Sequence, residues 1–521
     1  MRRLLSWSTA RAWRVLLISW AGLFLLSAVW AISTPIGASP DEPSHIIKAA
    51  AVVQGQPIGE ATDLPAWTSV HVPRSIADAQ SWPQCYGFQT TVPASCSNTT
   101  GSGLELTDAR TSAGLYNPMY YALVGWPSLI LPEAKQVVFG MRLVSAALTS
   151  ALLAIVFTAL LTFRRPALTT IGFLAAATPM VFFLSGSVNP NSLEIAGSAA
   201  VLALLLKVTL GPEPDRGFGW SMAGVAVAGA LTVNARSISP VWLFLFILVV
   251  LVTTPWPRLR SVFSRWQTWT AVGIVGLATV AAAGWIAATN TLGHLGTFAG
   301  AGTVGPVRGF FTMLLDRSFD PGIVGVYGWL DTWNPAFVYV LWSALAVGLA
   351  LAAAATLRGR LLVGYLLMLA IVFLGPALIQ AASVTNSGYI WQGRYTLVAY
   401  SAVLVFTVVA VSVRPKQDDI RVSRAVVERT YWIIGALVIL GHVGGVASAI
   451  RRYATGSTVD WIDMIRSPLW LPPLGFWPWV ILTVLASGLL VVLGAPRRGR
   501  GEPEAPEPHP TPLLTTSPAT V

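Results

Sequence analysis

Apolar residues fill runs of about 20 positions along almost the whole chain, separated by short hydrophilic gaps, and a helix of that length crosses a hydrocarbon core about 30 Å thick. The runs lie at 15–34, 137–162, 167–186, 192–210, 220–235, 238–254, 267–289, 334–356, 361–383, 395–413, 430–450 and 474–494. They predict an all-α integral membrane protein with about twelve transmembrane helices. A thirteenth candidate, 117–131, is short, holds Pro118 and Pro127 and is rich in Tyr and Trp. It reads as an external interfacial helix.

Composition supports this picture. Of 521 residues, 54% are hydrophobic and 11% charged, against roughly 25% charged in soluble domains. A net charge of +11 would suit nucleic acid, but the cations are scattered between apolar runs, so no nucleic-acid partner is implied. With 117–131 left out of the span count, one face holds 21 Lys and Arg against 8 Asp and Glu, from Arg2 and Arg3 through Arg164, Arg165, Arg358 and Arg360 to Arg497 and Arg498. The positive-inside rule puts that face, and both termini, in the cytoplasm of a plasma membrane. The expected organisation is a cytoplasmic N-terminus at 1–14, a membrane domain at 15–494 and a disordered cytoplasmic tail at 495–521 that is rich in Pro, Glu and Thr. The first run also matches a signal peptide in its flanks, but its length favours a retained helix.

Cytoplasmic gaps are short and hold no phosphate-cradling glycine motif. The hydrophilic chain is external, at 35–136, 290–333, 384–394 and 451–473, which is where chemistry is expected. Cys85 and Cys96 share the first of these loops and predict a disulfide, with two free thiols as the alternative. His45, His71 and His294 have spacings that match no metal-ligand motif. Arg308, Phe310, Phe311, Leu314 and Leu315 suit a surface helix, a candidate lid.

Just beyond the first run stands Ser39-Pro40-Asp41-Glu42-Pro43-Ser44-His45, followed by Ile46, Ile47, Ala50 and Val53 at helical spacing. Two adjacent carboxylates therefore sit at the outer surface, at the start of an amphipathic helix expected to lie along it. Helix capping by Asp41 explains the acid equally. Far along the chain, Gln392-Gly393-Arg394-Tyr395 opens another span. Arg394 is placed to grip phosphate with its planar fork, or to serve as a snorkelling anchor with Trp391 and Tyr395 as belt aromatics. Arg142, Arg236, Arg308 and Arg317 are weaker candidates for the same grip.

The Pro-Asp-Glu-Pro-x-His and Gln-Gly-Arg-Tyr motifs, with Tyr327-Gly328-Trp329-Leu330-Asp331 before a span, resemble an uncharacterised bacterial family of predicted membrane proteins. That family is similar to the GT-C class of glycosyltransferases. Asn117-Pro118-Met119-Tyr120-Tyr121, Arg142-Leu143 and Ser187-Val188-Asn189-Pro190-Asn191 resemble further family segments, with Asn191 standing where the family carries an acid. The resemblance implies a GT-C-like architecture and transfer of a sugar from a polyprenyl-phosphate donor to a glycan or other cell-envelope acceptor on the outer face. It further implies Asp41 and Glu42 as catalytic residues, and Arg394, Tyr395, His45, Arg142, Asn189, Tyr120 and Asp331 as substrate-binding residues. The family acid acts as a base or a metal ligand, so a divalent cation is left open and no metal ligand is assigned. A lipid-linked-sugar flippase and a non-catalytic partner in envelope glycan assembly are the alternatives. Asp331, just before a span, also suits a cap.

Overall fold

The computed structural model describes residues 12–64, 66–294, 296–414 and 423–496. Arg2, Arg3, Arg497, Arg498 and nearly all of the tail from 495 lie outside the described residues. All twelve apolar runs are helical. Among the described residues, nine helices are long and apolar enough to cross a membrane. The run at 167–186 is instead a bent pair, Pro166–Ala176 and Pro179–Ser185, joined at 63°. Two more, Phe218–Val233 and Ser239–Thr253, are shorter apolar helices. The segment 117–131 forms only a six-residue helix, Met119–Val124, and one 3₁₀ turn.

Two helices occupy the centre of the bundle, Pro190–Leu210 and Gly393–Ser412, and they pack against each other. Both begin at the same end. Asn189 caps the first, its side chain accepting from the Asn191 amide, and Pro190 follows at a position that needs no N–H. Trp266–Thr289 and Ala336–Thr356 remain largely exposed at the periphery, as helices facing lipid should. The opening helix, Ala12–Ser33, lies against Ala134–Leu160 and against the last helix, Trp477–Gly494.

The bend follows from Pro179, which lacks an N–H and interrupts the helical ladder. A neighbouring segment satisfies the groups freed there. Thr178 Oγ1 donates to the Ile323 carbonyl at 2.9 Å, and the Met180 amide donates to Val324 at 3.0 Å. Irregular backbone at membrane depth is tolerated only when protein covers it in this way.

The loop 35–136 departs from expectation. Strands Glu60–Ala61, Thr68–Pro73 and Leu106–Thr111 form an antiparallel sheet, with Val70 opposite Ala109 and Val72 opposite Thr107. The sheet packs on the helix Glu42–Val53, whose residues from Glu42 to Ala51 are all buried. That helix is therefore enclosed rather than half-exposed along a surface. Lys48 ties it to the cap, donating to the carbonyls of Pro57 at 2.6 Å and Gly114 at 2.7 Å, and burial pushes its ammonium down to about 7.

Cys85 and Cys96 are disulfide-bonded. The buried Arg452 guanidinium donates to carbonyls of the same loop, Tyr86 at 2.8 Å, Gln89 at 2.9 Å and Val92 at 2.7 Å, and to Asp331 Oδ2 at 2.9 Å. The surface helix expected near Arg308 is Pro306–Asp316, which exposes Val307, Phe311 and Leu315 on one face.

Candidate functional site

Asp41 ends a tight turn after the opening helix and adopts a left-handed backbone, φ 63° and ψ −3°. For an L-residue other than glycine this costs about 1–2 kcal/mol, with Asn and Asp the best tolerated. The side chain makes no capping hydrogen bond, so capping does not account for the acid. It reaches instead to Arg394, 353 positions away, whose Nη2 donates to Oδ2 at 2.6 Å.

Arg394 lies in the first turn of Gly393–Ser412, where a cation opposes the helix dipole. Helix stability therefore does not explain it. Nor does snorkelling, because its side chain is 1% exposed while that of Asp41 is 50% exposed. The guanidinium also donates to the Pro40 carbonyl at 3.4 Å and the Tyr395 hydroxyl at 3.1 Å, and its Nε has no partner. Gly393 permits this packing, since a Cβ there would stand 2.5 Å from Asp320 Oδ1. Asp320 in turn caps the turn Pro321–Ile323.

A second guanidinium joins the cluster. Arg236 Nη1 donates to Asn191 Oδ1 at 2.8 Å and Glu194 Oε2 at 3.2 Å, and Ser239 Oγ donates to Glu194 Oε1 at 2.8 Å. The Arg236 guanidinium carbon lies 4.5 Å from the Tyr395 ring centroid, and that of Arg394 lies 5.0 Å from the same ring. Asn191 Nδ2 donates to the Arg394 carbonyl at 3.1 Å. Asn189 reaches the Pro40 carbonyl at 3.5 Å, and its amide donates to the Tyr120 hydroxyl at 2.9 Å. His45 Nδ1 and the Tyr121 hydroxyl lie 2.8 Å apart, with Tyr116 beside the same imidazole.

These neighbours set the charge states. Burial alone raises the Asp41 carboxyl, but Arg394, with Arg236 beyond it, outweighs it and holds it below 3.8. For His45, burial is the largest effect. Asp41 opposes it, Arg394 and Arg236 add to it, and the ring falls to about 4. At neutral pH the site thus holds two guanidiniums, the Asp41 carboxylate and a neutral imidazole.

Three predicted residues, Glu42, Arg142 and Asp331, are closed off from this cluster. Glu42 is fully buried and takes the Arg142 fork in both oxygens, from Nε at 2.8 Å and Nη2 at 2.6 Å, while Oε1 also accepts the Val188 amide at 3.0 Å. Arg142 gives its remaining protons to the carbonyls of Ala31, Thr34 and Pro35. All five donors of its guanidinium are used. The fork thereby ties down the last carbonyls of the opening helix, at the end where the dipole favours a cation. Asp331 is engaged by Arg452 under the disulfide loop. Asp331→Asn is expected to lower stability by about 1.5–3 kcal/mol, the usual worth of a hydrogen bond to a charged group. A thermal melt checks this.

The structure brings together Asp41, Arg394, Tyr395, His45, Asn189 and Tyr120, and adds Arg236, Glu194, Tyr116 and Tyr121. Arg236, between two apolar runs, stood in the sequence as one of the weaker candidates for the phosphate grip. Glu194 and Tyr116 carried no distinguishing signal. Among the described residues, no three of His, Cys, Asp and Glu gather where a metal ion would be held.

Two solved structures share similarity with this chain. The crystal structure of ArnT from Cupriavidus metallidurans in the apo state is 15% identical, with 91% of this chain and 76% of that one covered and a TM-score of 0.44. ArnT from Cupriavidus metallidurans bound to undecaprenyl phosphate is 14% identical, with 92% and 76% covered and a TM-score of 0.41. No curated protein matches the sequence. The model of the family described as predicted membrane protein (DUF2142) matches residues 24–403, and this multi-pass membrane protein belongs to that family.

Proposed function

We propose that this protein is a glycosyltransferase that moves a sugar from a polyprenyl-phosphate donor to a cell-envelope acceptor on the outer face of the plasma membrane. The observation that carries the reading is the 2.6 Å pair of Arg394 with an accessible Asp41. A sealed structural pair would hide both partners, as Glu42 and Arg142 do. Here the carboxylate remains open for an acceptor, and its cation sits beside a second guanidinium suited to phosphate.

In this mechanism the donor phosphate enters between Arg394 and Arg236 and takes the Arg394 fork from Asp41. Bidentate phosphate recognition favours guanidinium over ammonium. Released from its cation, the Asp41 carboxylate becomes a stronger base. The acceptor hydroxyl attacks the anomeric carbon, Asp41 takes its proton, and the bond from that carbon to the phosphate oxygen breaks. The electron pair leaves with the polyprenyl phosphate, whose added negative charge faces the two guanidiniums. Preorganised donors of this kind stabilise developing charge strongly at low dielectric. The residues present do not fit a divalent cation, because Glu42 spends both oxygens on Arg142 and Glu194 spends its own on Arg236 and Ser239, which leaves Asp41 without a second open carboxylate. No step is routed through one.

The test is transfer from a labelled polyprenyl-phosphate sugar by the purified protein in proteoliposomes. Arg394→Lys is expected to reduce turnover about tenfold or more, since a point charge cannot replace the fork. Full activity in that variant would remove Arg394 from the mechanism. Passage of intact lipid-linked sugar across the bilayer without bond cleavage would identify a transporter instead.

A further inference from the structure

At the opposite end of the bundle, a groove of about 630 Å³ opens where the helix Ser239–Thr253 ends, Trp256–Phe263 begins, and Gly359–Ser387 starts alongside. We propose that this groove binds an anionic phospholipid of the leaflet at the arginine-rich face, with Arg360 on its phosphate. Its walls divide by chemistry. Leu251, Val252 and Val363 line one side and are partly exposed, which suits acyl chains. Trp256, two-thirds exposed, stands at the rim, where an indole marks the headgroup level of a bilayer.

The polar side carries net positive charge. Arg360 Nη1 donates to the Thr254 carbonyl at 3.0 Å, which fixes the guanidinium over the groove while other donors of its fork remain. Arg358 precedes it across Gly359, whose φ of 55° turns the chain sharply between the two cations. Neither arginine pairs with a carboxylate among the described residues, whereas nearby Arg258 is paired with Asp215. Arg360, a lining cation without an acidic partner opposite an apolar wall, with Arg358 two residues away along the chain, complements an anionic headgroup with attached chains. Surface cations attract the headgroups of an anionic leaflet, and a zwitterionic lipid offers no net charge to match them.

The experiment is native mass spectrometry of the full-length protein, delipidated in detergent and titrated with phosphatidylglycerol or phosphatidylcholine. Phosphatidylglycerol is expected to be retained about tenfold more tightly, the ratio that corresponds to about 1.4 kcal/mol. Arg360→Ala is expected to erase that preference, and Val363→Trp, which fills the apolar side, to weaken retention of phosphatidylglycerol. Equal retention of the two lipids by the wild type would overturn the proposal. An unchanged preference in Arg360→Ala would do the same. Displacement of phosphatidylglycerol by inorganic phosphate at equal concentration would show a headgroup-only anion site and overturn the lipid assignment. Arg360→Gln removes the charge while keeping a donor for Thr254, and answers the question if the alanine variant does not fold.

Discussion

Asp41→Asn lowers sugar transfer by about 10²–10⁴-fold, the usual worth of a positioned general base, while the protein stays folded. Two features make this substitution diagnostic. Asn tolerates the left-handed backbone at position 41, so the turn need not rearrange. The amide also preserves an oxygen for Arg394 while removing the basic site. Initial rates with a labelled donor, beside a thermal melt, separate lost chemistry from lost structure. Wild-type turnover in this variant would leave the pair a structural contact.

The same residue predicts a pH signature. Without donor, Asp41 is held below 3.8 by Arg394 against the opposing effect of burial. Its folded pKa is depressed, so its contribution to stability is full above the unfolded value and disappears as pH falls through the folded one. When the donor phosphate occupies Arg394, burial and the phosphate charge both push the carboxyl up. The acid limb of kcat, which reports the loaded enzyme, should therefore lie at higher pH than that of kcat/KM, which reports the free enzyme. Coincident limbs would argue against the exchange of partners.

Arg142→Met is expected to destabilise the protein by about 3–5 kcal/mol, because it strands a buried carboxylate. The loss extends beyond the ion pair. Three carbonyls at the end of the opening helix, Ala31, Thr34 and Pro35, lose their donor together. The double variant Arg142→Met with Glu42→Gln should recover part of that cost, since no charge then remains buried. Denaturation midpoints of the single and double variants test this. A single variant as stable as wild type would mean that water reaches Glu42 and solvates it.

Much of the architecture was legible because a bilayer imposes a strong pattern, and each predicted apolar run became helical. The third run was read as one span, and the structure bends it at Pro179. The motif around Asp41 and the one around Arg394 each identified a candidate, but nothing in either stated that they meet. Glu42 was illegible in a different way. Adjacent acids look alike in a sequence, and the left-handed turn at Asp41 sends one toward an open recess and its neighbour into a sealed pair. The enclosed helix Glu42–Val53 was missed because its cover is a sheet whose strands lie about 40 residues apart, Val70 facing Ala109. Its alternation of apolar and polar positions looked like adaptation to water and lipid when the polar side faces protein.

The opening helix rests against the last one, Trp477–Gly494, and this has a cost during synthesis. At roughly 5–20 residues per second, the ribosome needs on the order of a minute to deliver that final partner. Throughout that interval the nascent chain holds the face of this helix around Gly22 in lipid or against an insertase, without the Leu489 and Leu490 side chains that later cover it. Truncation near the C-terminus should therefore unseat the first segment to emerge, and quality control should detect the damage there.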